Sequence, residues 1–511
     1  MKKVFILIAA IGALATSCRK IEVDGTTTTT TTPTPTAENT ILEGRIISNL
    51  TLHAGYTYKL RGLVYVTNGA ILTIEPGTKI VGELNRNGAL IITRGAKIIA
   101  DGTVDKPIVF TSEAALPQRG DWAGVVLLGQ APNNSSFNGQ DGIGEIEGGV
   151  NNSDGLGLYG LGATSNLADN SGVLRYVRIE YAGYAFLPDK EINGLTFGGV
   201  GNQTTIDYVQ VSYANDDSFE WFGGSVNCKH LISFRTIDDD FDTDNGFSGK
   251  VQFGISLRDS AIADISKSEA FESDNDANGS DRKTYLTTIP VSANNPVAII
   301  PVKTSAVFCN MTVMGPKVTA TSVGNSLFLC AAQIRRNSEI SIMNSLILGW
   351  GGGAVNGLLI DASKGTPTDI NLVGYTLPSP GTGVVLNPTP GLNFANNIIA
   401  GPSTNAVAYS ASTGTTITGS TVASITAWMN TAAISNSTLP NNTDVGLGAP
   451  FNYTAPDFNP TSAAVPAATG ASFTNSKLTT STGGKLDFTP VTYKGACAVG
   501  DTWWKTWTKF M

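Results

Sequence analysis

Histidine is nearly absent: His53 and His230 stand far apart in a chain of 511 residues. Neither has a G-x-S-x-G elbow to work with, so a Ser-His-Asp hydrolase lacks its parts. The five cysteines show no C-x-x-C spacing, which excludes zinc ribbons and similar thiolate metal sites. Charged residues make up only 14%, acids outnumber bases 41 to 33, and no basic cluster offsets the net charge of −8. Nucleic acid and anionic membrane faces are therefore not expected partners. Beyond residue 18 there is no apolar run long enough to span a bilayer, and no sustained helical period.

What the chain has instead is repetition. Phe197-Gly198-Gly199, Phe219-Glu220-Trp221-Phe222-Gly223-Gly224, Phe241-Asp242-Thr243-Asp244-Asn245-Gly246 and Phe271-Glu272-Ser273-Asp274-Asn275-Asp276 recur at about 22 residues, stretched to 30 in the last step. Asn68-Gly69 and Gly88 repeat at a similar pace among alternating β-branched residues. Such a unit cannot bury its own apolar face, so successive units must stack as coils of a parallel β-helix, about 4.8 Å apart. Residues 40–511 are expected to form one such domain, with 133–172 an excursion, 352–465 a loop-rich insertion and 466–511 a C-terminal cap carrying Trp503, Trp504 and Trp507.

Stacking turns the repeat into chemistry. Alternation sends the phenylalanines inward and places Gly198, Glu220, Asp242 and Glu272 in one outward column, with Asp244 and Asp274 in a second. Carboxylates at rung spacing repel unless a cation neutralises them or some stay protonated. Asp274, Asp276, Asn278 and Gly279 fit the D-x-[DN]-x-[DN]-G start of a calcium loop, although Tyr285 replaces the usual acid at position twelve. Calcium on this flank is one expectation, and an Asn/Asp/Gly surface turn is the other. A catalytic alternative uses Asp216, Asp217, Asp239 and their neighbours Asp238 and Asp240 as acids, with Arg235 or Arg258 as base, in a polysaccharide lyase or glycoside hydrolase. Against it, both arginines could simply neutralise nearby aspartates, and Arg335-Arg336 reads as a surface pair facing acids. Cys309 and Cys330, 21 apart, suit either an inter-coil disulfide or buried thiols.

The N-terminus reads as export machinery. Lys2 and Lys3 precede the apolar run Val4 to Ala15, too short for a permanent span, and Leu14-Ala15-Thr16-Ser17-Cys18 resembles a bacterial lipobox. That resemblance implies cleavage of residues 1–17 and outer-membrane lipid on the Cys18 thiol. Residues 18–39, with the threonine run Thr26 to Thr32 and Pro33 and Pro35, form a solvated tether.

Together with Gly120-Asp121-Trp122-Ala123-Gly124, Glu272-Ser273-Asp274-Asn275-Asp276 and the closing Gly500-Asp501-Thr502-Trp503-Trp504, these features resemble a family of Bacteroidota lipoproteins. The resemblance implies a right-handed parallel β-helix of pectin-lyase-like architecture, all-β, displayed on the cell surface. It carries no activity with it. The expected function is non-catalytic binding or adhesion, to glycans, with structural calcium; the lyase or hydrolase is the alternative.

Overall fold

A computed structural model describes residues 39–511, apart from 85–87, 188–189, 281–282, 287–298, 320, 351–356, 402–405 and 412–415. Cys18, the leader and most of the tether lie outside the described residues. From Thr40 onward the chain is one unit built on a 28-stranded parallel sheet, stacked as the repeat requires and coiled right-handedly as the family resemblance implies. Among the described residues no helix is long and apolar enough to cross a membrane.

Each coil contributes to three stacked strand columns. One column runs through Ala89–Ile92, Gly124–Leu128, Leu195–Gly198, Phe219–Phe222, Phe241–Asp244, Phe271–Ser273, Ala332–Ile334, Leu358–Ala362 and Val407–Ala411. The other two are halves of one bent strand in many coils, as in Gly172–Glu180, Thr205–Ser212 and Cys228–Phe234. The bend falls on a single residue with left-handed backbone, repeated as Tyr176, Tyr208, His230, Phe253, Asn310, Asn344 and Asn396. None of these is glycine, so each coil holds a conformation that side chains ordinarily avoid. Stacked side chains compensate: the rings of Tyr176 and Tyr208 lie 4.5 Å apart, Tyr208 and His230 4.2 Å, and His230 and Phe253 5.2 Å.

The interior is a ladder of rings and aliphatic side chains. Phe219 stacks on Phe241 at 5.7 Å and Phe241 on Phe271 at 5.5 Å, as the repeat predicts. The coil before them departs from prediction. Phe197 pairs with Trp221, and Thr196, not Gly198, stands over Glu220. That turn holds two more residues than the next, and chain spacing alone cannot separate turn length from strand register.

Two other expectations are corrected. Residues 352–465 are not decoration, because Leu358–Ala362, Phe394–Ala395, Ile398–Ala400, Val407–Ala411 and Ser437–Leu439 extend the sheet. The last turns are closed by the helix Val422–Met429, whose Ile425, Trp428 and Met429 join the interior core. The C-terminal tryptophans do not cap that end. Trp504 and Trp507 pack outside the coil, against Ile232, Phe234, Ile255, Leu257 and Leu346, as the tail runs back along one flank. Cys228, Cys309, Cys330 and Cys497 are free, buried thiols; Cys309 stands in register with Gln252 and Met343, not with Cys330.

Candidate functional site

The excursion after Gly129 folds over the outer face of the first column. Ile146, Val150 and Tyr159 pack on Val126, Leu128 and Phe222. The approach is close enough to need glycine: a Cβ on Gly223, whose φ is 68°, would stand 2.4 Å from that of Asn133. Beside this roof, on the turns leading into the strands that begin at Phe219, Phe241 and Phe271, lies a concentration of carboxylates.

Three consecutive coils supply them. Asp216 and Asp217 precede Phe219, Asp238 and Asp239 precede Phe241, and Glu269 precedes Phe271. Glu220, Asp242 and Glu272 then project outward from the strands, in register with one another. The turns are stitched rung to rung: the Asp239 amide donates to Asp217 Oδ1 at 2.7 Å, and the Glu269 amide to Asp239 Oδ1 at 2.6 Å. Asn193 donates to Glu220 and accepts from the Asp217 amide. Asp217, Asp239 and Glu269 are thereby fixed and buried.

Ligand atoms from three groups lie within 4.8 Å of one another: Asp216 with Asp217 and Asp238, Asp217 with Glu220 and Asp242, and Asp239 with Glu269 and Glu272. Positive charge meets them at one end. Arg335 donates to Glu272 Oε2 at 2.6 Å and Asp274 Oδ1 at 2.9 Å, and Arg336 to Asp274 Oδ2 at 2.6 Å, so this pair does face acids. Elsewhere burial, followed by the neighbouring carboxylates, pushes the protonation of Asp216, Asp217, Glu220, Asp239, Asp242 and Asp244 well above the usual range. Burial likewise raises Asp238 to about 7, Glu269 to about 8 and Glu272 to about 7.

The expected calcium set therefore divides. Glu220, Asp242 and Glu272 belong to carboxylate triads, whereas among the described residues no triad includes Asp244, Asp274 or Asp276. The D-x-D-x-N-G segment closes as a turn: Asp276 Oδ1 accepts from the Asn278 amide at 2.8 Å and the Ser280 amide at 3.2 Å, while Asp274 is taken by the two arginines. Of the catalytic set, Asp216 and Asp217 share a triad, and Asp239, whose amide donates to Asp217, places its carboxylate in another. Arg235 and Arg258 do not join them as free bases. Arg258 is fully buried and paired with the equally buried Asp240 at 3.2 Å. Arg235 pairs with Asp259 and lies against the rings of Tyr213 and Tyr453.

Glu269 and Asn193 are the members that sequence reasoning missed. For Glu269 a signal existed, since Asp217, Asp239 and Glu269 each stand two residues before a stacked phenylalanine. Asn193 carried none, because it acts from the turn preceding the repeat.

An all-oxygen, acid-only donor set of this kind suits a hard cation such as calcium. Among the described residues the buried Asp238 Oδ1 and Asp242 Oδ1 have no hydrogen-bond partner, an unmet need that a cation or a proton would answer. In the comparisons with known proteins, the model of a family described as "Pectate-lyase like beta helix domain" matches residues 44–377, a span that includes every carboxylate of the site. No curated protein and no solved structure matches.

Proposed function

The chain belongs to the pectate-lyase-like beta helix domain family, and we propose that it is a lipid-anchored, outward-facing outer-membrane protein that binds glycans beside a calcium-loaded acidic flank. Cys18 carries the lipid, and residues 18–39 hold the coil away from the membrane. Asp217, Glu220 and Asp242 hold calcium, with Asp216, Asp238, Asp239, Glu269 and Glu272 as further ligands. Bound there, the ion would neutralise the stacked carboxylates and offer open coordination to sugar oxygens. One observation carries this reading: three overlapping carboxylate triads spread over three successive coils, of which, among the described residues, the third alone has a side-chain ion pair with arginine.

The test is calorimetric titration with calcium and thermal unfolding in calcium or EDTA. An ion bound only by the folded state stabilises by about 2.7 kcal/mol at a hundredfold excess over its Kd. The expected result is a higher Tm in calcium, with Asp217→Asn and Asp242→Asn each losing most of the gain. An unchanged Tm on chelation rejects it.

A second reading, a lyase or hydrolase of acidic glycans, is favoured by one observation. Asp238, raised to about 7 by burial and the neighbouring Asp264, holds a proton near neutrality, which is what a general acid in glycoside cleavage needs. Turnover of polygalacturonate that disappears in Asp238→Asn would establish it over simple binding.

A further inference from the structure

We infer that Lys303 and Asn371 are the two halves of an intramolecular isopeptide bond, which the chain forms by itself with Glu339 as the proton carrier. The three residues come from successive coils. Lys303 leads into the strand Val307–Cys309, Glu339 leads into Ser341–Met343, and Asn371 ends the short helical turn Thr368–Asn371 ahead of Phe394–Ala395. Those strands stack in register. The turns before them are tied across coils: the Glu339 amide donates to the Thr304 carbonyl at 2.9 Å, and the Asn337 amide to the Thr368 hydroxyl at 3.1 Å.

Lysine is seldom found inside a protein, yet Lys303 is 5% exposed, Glu339 6% and Asn371 0%. Lys303 Nζ lies 2.7 Å from Asn371 Oδ1, 3.0 Å from Asn337 Oδ1 and 3.4 Å from Glu339 Oε2. The Asn371 carboxamide is clamped at both ends. Its Nδ2 donates to the carbonyls of Asn337 at 3.1 Å and Ser338 at 3.0 Å. Its Oδ1 accepts a second bond, from Asn387 Nδ2 at 3.0 Å, and Asn387 also donates to Glu339 Oε2 at 3.2 Å. A buried ion pair needs only the lysine and the glutamate. Here the amine is also aimed at an amide carbonyl whose oxygen already has a donor in place, as nucleophilic attack requires.

The steps balance within the chain. Glu339 takes a proton from the Lys303 ammonium, and the amine nitrogen attacks Asn371 Cγ while Asn387 Nδ2 steadies the charge gathering on Oδ1. Glu339 passes its proton to Asn371 Nδ2, the Cγ–Nδ2 bond breaks, and Nζ gives a second proton to Glu339. Ammonia leaves and takes up that proton in water. A lysine ammonium and a carboxamide thus become a secondary amide and an ammonium ion, with no oxidant, reductant or co-reactant consumed. The bond ties together coils that are 68 residues apart in sequence.

None of these residues belongs to a carboxylate triad, so the crosslink stands or falls separately from the calcium reading. The experiment is peptide mass spectrometry of the purified full chain. The expected result is a branched peptide joining Lys303 to Asn371, about 17 Da lighter than its two arms together, the mass of one ammonia, with no tryptic cut after Lys303. Lys303→Arg and Asn371→Ala are expected to abolish it. Glu339→Gln keeps both reacting groups and is expected to reduce it by about tenfold or more. Recovery of Lys303 and Asn371 only in separate peptides, at full mass, would overturn the proposal, and that measurement on the unaltered chain decides the matter even if the variants do not fold. A branched peptide undiminished in Glu339→Gln would overturn the role of Glu339.

Discussion

The same coils build two flanks by the same stacking, and the two could hardly differ more. On one, Tyr176, Tyr208, His230 and Phe253 rise in a column whose members satisfy one another at 4.2 to 5.2 Å, sealed by Trp503 and Trp507 of the C-terminal tail. On the other, Glu220, Asp242 and Glu272 rise in register and repel. Rung spacing multiplies whatever residue occupies a position. Neutral rings gain from each copy, while carboxylates accumulate a need for cations or protons. The ring flank is complete in itself, whereas the acidic flank leaves buried oxygens that a cation or a proton would answer.

The sharpest way to break that comparison is to open the ring flank. Trp507 is fully buried against the Tyr176 and Tyr208 edges, so Trp507→Ala is expected to cost about 3–5 kcal/mol in urea unfolding. The loss should be the same in calcium and in EDTA. Dependence of that loss on calcium would mean the flanks are coupled.

The acidic flank should respond to pH instead. Its carboxyl groups take up protons more readily in the folded chain than in the unfolded one, with Asp238 raised to about 7 and Glu269 to about 8. The folded state therefore binds more protons between about pH 4 and pH 8, and stability falls as pH rises through that window. In EDTA the Tm is expected to be higher at pH 5 than at pH 8, and calcium is expected to narrow the gap. A higher Tm at pH 8 in EDTA would contradict the assignment.

The smallest effect concerns the turn that carries the start of a calcium-loop pattern. Asp276→Asn removes a charge but keeps an oxygen to accept from Asn278 and Ser280, so the cost is about 1 kcal/mol or less. Calcium affinity should not change. A large loss of affinity would return Asp276 to the ligand set.

How far the sequence reached depends on which interactions are periodic. The stack of Phe219, Phe241 and Phe271 was legible because each coil repeats an inward aromatic at strand alternation. The shift of Phe197 onto Trp221 was not, since a longer turn hides inside an unbroken spacing. The outward carboxylates were legible as a column, yet their grouping was not. Asp217 and Asp239 are drawn in by backbone amides of the following coil, which no motif encodes. The sheet strands after residue 352 were missed because each spans only two to five residues in Thr-, Asn- and Ala-rich surroundings. The tail's course was missed for a different reason: Lys509 meets Gln210 across 299 residues, a pairing no local pattern announces.

The roof over the first column has a consequence in time. Asn134, within the excursion, donates to the carbonyl of Asn275 and so waits on a coil 141 residues further along the chain. Closing so long a loop is favourable only after the intervening coils have stacked. The coils that carry the carboxylates are thus stacked before the excursion settles beside them. Refolding is accordingly expected to bring the coil spectrum back before the Asn134–Asn275 contact forms.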